Sequence, residues 1–141
     1  MNWKIKKHCL LLASAFVVGI SGSSAFAQVA EYFSVPVKIE RHVSGNSTLL
    51  AKDYFHNFAH YTGFRLVAVD VIAGADSAEG AIVKLADNQS SFGPLIELSK
   101  KVQNYRVVLT KGLVIGFGAE NLALDVQGSA YVRELNLILT R

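Results

Sequence analysis

In several segments beyond residue 30, apolar residues alternate with polar ones or run unbroken for about four to ten residues between turn residues, the pattern of an all-β domain. The first such segment, "EYFSVPVKIE" at 31–40, places Phe33, Val35, Val37 and Ile39 on one face. Glu31, Ser34, Lys38 and Glu40 occupy or flank the other, together with Pro36, which has no N–H to give to a ladder. Further strands are predicted at 64–73, 81–86, 105–110, 113–118, 122–126 and 131–140. Between them lie "GADSAEG", "DNQSSFGP", "KG" and "QGS", rich in turn-forming residues. Seven or so short strands rich in Val, Ile, Tyr and Phe predict an all-β domain, a sandwich or small barrel.

One stretch breaks the alternation. In "STLLAKDYFHNFAHYTG", Leu50, Tyr54, Phe58 and Tyr61 have helical spacing, with Ser47 placed as an N-cap and Gly63 just past the end. The same aromatic residues also suit one face of a twisted strand, so residues 47–62 are compatible with helix or strand.

Charge and cysteine content change meaning once the first 27 residues are set apart. Lys4, Lys6 and Lys7, the apolar run from Cys9 to Ile20 and "AFA" at 25–27 read as a secretory signal. That signal holds three of the fourteen Lys and Arg and none of the eleven Asp and Glu, so the remainder has eleven of each sign. The sequence pI of about 9.1 therefore belongs to the leader and argues for neither nucleic acid nor an anionic membrane as partner. The single cysteine is in the leader too, and a domain without disulfides must be held by core burial or by a partner. The expected division is an export signal at 1–27, an N-terminal strand at 28–42 and a β domain at 43–141.

Candidate chemistry is sparse. His56 and His60 are four apart, a spacing that on a helix offers two metal ligands, but no third ligand accompanies them and a solvated face explains both. "GFGAEN" at 116–121 lacks the later glycine of a dinucleotide fingerprint. The chain after the leader has no thiol nucleophile and no Gly-x-Ser-x-Gly elbow. No catalytic residue, metal or cofactor is assigned, and the reading is of a protein that is not an enzyme.

Four segments in order, "EYFSVPVKIERHV", "GFRLVAVDVIAGADSAEGAIVKLAD", "VVLTKGLVIGFG" and "YVRELNLILTR", resemble the alpha-type pilins of chaperone-usher fimbriae, the colonization-factor and cable pilins. The resemblance implies an incomplete immunoglobulin-like β-sandwich completed by donor-strand exchange, in a structural subunit of a surface fimbria serving adhesion. It implies as partners identical or related subunits, a periplasmic chaperone, an outer-membrane usher and a host-surface receptor. By position, Phe33, Val35, Val37 and Ile39 are the inserted residues, and Leu135, Leu137 and Leu139, which share a face of the last strand, line the groove. Four such side chains at ~1.5–3 kcal/mol each give a gross ~6–12 kcal/mol for the joint. The alternative is a monomeric periplasmic or secreted β-sandwich binding protein with 31–40 as its own edge strand. Pro36 suits that alternative, because an edge strand can turn the missing donor to solvent.

Overall fold

Strand formation follows the alternation closely wherever one face is buried. In the computed structural model, which describes residues 30–87 and 90–141, eight strands form: β1 (Tyr32–Val43), β2 (Ser47–Leu50), β3 (Arg65–Ala75), β4 (Ala81–Ala86), β5 (Ser91–Leu98), β6 (Gln103–Val114), β7 (Ala123–Gly128) and β8 (Ala130–Thr140). The expected leader at 1–27 lies outside the described residues. No helix among the described residues is long and apolar enough to cross a membrane.

The all-β sandwich expected from the sequence is the fold the chain adopts. One antiparallel sheet has the order β1-β8-β3-β6 and the other β2-β7-β4-β5. Only β4 and β5 are consecutive strands that pair with each other; every other connection crosses between sheets. Two four-stranded sheets in this order have the arrangement of a jelly roll, whereas immunoglobulin constant-type domains divide seven strands four and three. Strand β1 takes an edge place in its own chain's sheet, and Tyr32–Arg141 form one compact unit.

The core lies between the sheets. Val69, Val71, Leu135, Leu137 and Leu139 from the first sheet meet Val83, Leu85, Leu124 and Val126 from the second, all at most 1% exposed. Strand β3 is buried along nearly its whole length because it is central in its sheet.

Residues 47–62 are neither one helix nor one strand. They form β2, a single helical turn α1 (Ala51–Tyr54), and a 3-10 turn at Phe58–Tyr61 that ends before Gly63, whose φ is +88°. Aromatic packing decides this: Phe55 meets Phe58 edge-on at 4.9 Å and Tyr61 meets Phe64 edge-on at 5.6 Å, a cluster closing one end of the sandwich.

Two apparent turns are interruptions within edge strands. Between the pairs Val83↔Ile96 and Leu85↔Phe92, three β5 residues, Gly93 to Leu95, stand against the single Lys84. Between Ala68↔Val108 and Leu66↔Leu113, four β6 residues, 109–112, stand against Val67. Sequence reading took "FGP" and "KG" for turns, but an edge strand tolerates Gly and Pro because its outer side needs no partner. The predicted strand at 113–118 ends at Val114, after which the chain turns through Gly116 and Gly118, both at positive φ.

Candidate functional site

The residues singled out in the first and last strands face each other. Strand β1 runs antiparallel to β8, with Phe33 opposite Leu139, Val35 opposite Leu137 and Val37 opposite Leu135. Val35, Val37 and Ile39 are 5%, 0% and 7% exposed, and Phe33 is partly buried against the same core. The seven apolar residues named from the sequence thus belong to one seat, formed within a single chain. Pro36 lies opposite Asn136 and is exposed, on a strand with one hydrogen-bonded neighbour. The open edge is what makes a proline admissible there.

Both ends of β1 are clasped by side chains. At its start, the Phe33 ring packs on Phe64 at 5.3 Å, and the Arg141 guanidinium carbon sits 5.9 Å and 5.4 Å from the two ring centres. At its other end, His42 Nδ1 lies 3.0 Å from Asp76 Oδ2, and the His42 ring stands 4.8 Å from that of Tyr131. Between these clasps, Ile39 and Glu40 stand against the single Arg133, and Glu40 has φ of +48°, the sole non-glycine positive φ among the described residues. A three-residue link, Ser44 to Asn46, with Gly45 at φ +72°, then carries the chain to β2 in the opposite sheet.

Electrostatic features are few. Asp70 on β3 is 3% exposed and receives Arg106 Nε at 2.6 Å and Nη2 at 2.8 Å. Hydrogen bonding to Arg106 holds the Asp70 carboxyl below its ordinary range against the opposing effect of burial, helped by the Arg106 charge and by Asn104 and Asn136. For Glu120, burial acts to raise the carboxyl. Backbone N–H groups, its own and those of Gly116 and Gly118, outweigh burial together with the Lys52 charge, so the group is lowered. This carboxylate ties the tight loop after β6.

The remaining candidates do not converge. His56 and His60 are exposed, one on the segment after α1 and the other in the 3-10 turn, and no group of three His, Cys, Asp or Glu that would hold a metal occurs among the described residues. Across the molecule from β1, the edges of β5 and β6 border a cleft of about 380 Å³ lined by Phe92, Pro94, Leu109, Lys111 and Leu113 among others. Sequence reading missed this cleft, since its walls are the segments taken for turns.

No family model matches the chain, and no curated protein matches it. Among solved structures, it is similar to the coat protein of Tobacco streak virus, at 9% identity over 83% of this chain and 91% of that one, with a TM-score of 0.48. It is similar also to a family two carbohydrate esterase from Cellvibrio japonicus, at 11% identity over 80% of this chain and 36% of the other, with a TM-score of 0.39. At these scores neither likeness bears on function.

Proposed function

We propose that the chain is a non-catalytic structural subunit of an exported assembly, a surface fimbria, in which β1 of one copy completes the sheet of the next. One observation carries this reading. The first strand of the unit sits at a sheet edge and supplies Phe33, Val35 and Val37 one for one against Leu139, Leu137 and Leu135. A β1 from a second copy can make the same contacts without new surface, the condition under which strand exchange is inexpensive. Removing β1 would leave β8 with an unpaired edge and an uncovered apolar groove, a state that demands a filler. Chaperone, usher and receptor enter this proposal as the partners such a fibre requires.

A second reading is a self-contained exported β-sandwich that binds a ligand or protein. The in-chain seat of β1, the eight filled strand positions and the exposed Pro36 favour it.

The test mixes two labelled populations of residues 28–141 after brief exposure to denaturant and reads chain length by light scattering. Exchange predicts mixed multimers, and deletion of 28–43 should abolish them while an added peptide of residues 30–43 restores a cooperative melt. A dilute monomer that never mixes, with β1 resistant to protease, would establish the second reading instead.

A further inference from the structure

On the side away from β1, the sandwich is not closed. Strand β6 ends one sheet and β5 the other, and both leave their ladders along the cleft between them: Gly93 to Leu95 stand against Lys84, and residues 109–112 against Val67. Extra residues of this kind bend an edge and re-aim its side chains. The two edges approach each other closely only beside Gly93, whose φ is +78° and where a Cβ would come within 2.9 Å of Val107 Cγ1. Elsewhere they part to leave about 380 Å³, within the range of small-molecule sites.

The cleft has an apolar bed and a polar rim. Phe92 from one sheet and Leu109 and Leu113 from the other line it, partly exposed and packed against the core. Asp87 and Lys111 bring opposite charges to opposite walls, Asp87 after β4 and Lys111 on β6. The two are not equally available. Asp87 Oδ1 receives the Ser90 N–H at 2.8 Å within its own turn, whereas Lys111 is exposed and makes no ion pair among the described residues. An acidic group is therefore attracted to the β6 wall and repelled from the other, which orients any anion lying across the bed. A strand from another chain does not suit this place, because pairing needs a regular row of N–H and C=O groups and both edges are interrupted along it.

We propose that the cleft between β5 and β6 binds a small amphipathic carboxylate, its apolar body on Phe92, Leu109 and Leu113 and its acid group at the Lys111 ammonium. The site lies at the sheet edges opposite β1 and β2, so it stands or falls separately from strand exchange.

Titration of isotope-labelled 28–141 chain at pH 7 with sodium octanoate, octylamine, 1-octanol and sodium acetate, followed by amide chemical shifts, tests it. Octanoate should move the amides of 90–93 and 108–113 and bind about fivefold tighter than octylamine, the worth of one exposed ion pair. Acetate, which has the acid but almost no apolar body, should not bind over the same range. Lys111→Arg should keep the preference for octanoate, and Lys111→Glu should reverse it toward octylamine; the position is exposed, so both variants keep the core. The proposal is overturned by shifts that are absent or scattered, by acetate binding as well as octanoate, by octanol or octylamine binding as tightly, or by a preference that survives Lys111→Glu. Shifts at the same amides that grow with protein concentration alone would give the cleft to a second copy and overturn it too.

Discussion

Glu40 shows how one residue bears a cost on behalf of its strand. Its φ of +48° lies in the left-handed region, which an L side chain occupies at roughly 1–2 kcal/mol. The position is exposed, so the side chain gains little from burial. Glu40→Gly should therefore raise stability by about 0.5–1 kcal/mol after allowing for the greater freedom of glycine in the unfolded chain, measured as a higher urea midpoint with unchanged slope. A lower midpoint would show that the glutamate side chain makes a contact worth more than the backbone strain. Arg106 acts first through its hydrogen bonds to Asp70 and then through its charge. Its bond lowers the Asp70 carboxyl below its unfolded value, so the stabilisation is fully present above the ordinary aspartate range and is lost as pH falls through the folded value. Arg106→Ala should lower the melting temperature at pH 7, and the gap from the parent should narrow as pH falls below the ordinary aspartate range. A gap independent of pH would assign the loss to packing of the arginine stem.

At the scale of the element, edge strands explain most of what the sequence obscured. Central β3, β8 and β4 read clearly, because strands with neighbours on both sides carry unbroken or alternating apolar runs. Edge strands β5 and β6 did not, since Gly93, Pro94 and Gly112 interrupt their alternation at the places where extra residues leave the ladder. Pro36 belongs to the same logic on β1. It blunts the regular first half of an edge strand, Tyr32 to Lys38, that would invite pairing, as the bulge at Ile39 and Glu40 does farther along. Pro36→Thr should leave the melting temperature within a degree or two or raise it, and should increase concentration-dependent association in light scattering. Unchanged association would mean that the outer edge of β1 is protected by other means, such as Lys38.

At the largest scale, Tyr32–Arg141 form a sandwich whose pairings, β4 with β5 apart, are long-range: β1 meets β8 across nearly the entire described chain, with Ser34 and Asn136 separated by 102 positions. Such a topology closes its largest loop only when the first and last strands join, so the joint is the last of the long-range pairings in sequence terms and the one at which the proposed exchange between copies would take place. The chain-mixing experiment reads this property directly. Removal of β1 would uncover one side of a core that runs through both sheets, which is why the truncated chain is expected to need the peptide for a cooperative melt.

The sequence by itself determined that the domain is all-β and which faces of its strands are apolar, the face of Phe33, Val35, Val37 and Ile39 and that of Leu135, Leu137 and Leu139 among them. Period-two alternation records burial, and burial is a property each strand carries alone. Tertiary structure decided which strand lies beside which, that residues 47–62 divide into strand, turn and aromatic cap, and that Asn136 stands between Ser34 and a buried Asp70. Apolar faces are interchangeable to a first approximation, so strand order and register depend on groups brought together from opposite ends of the chain.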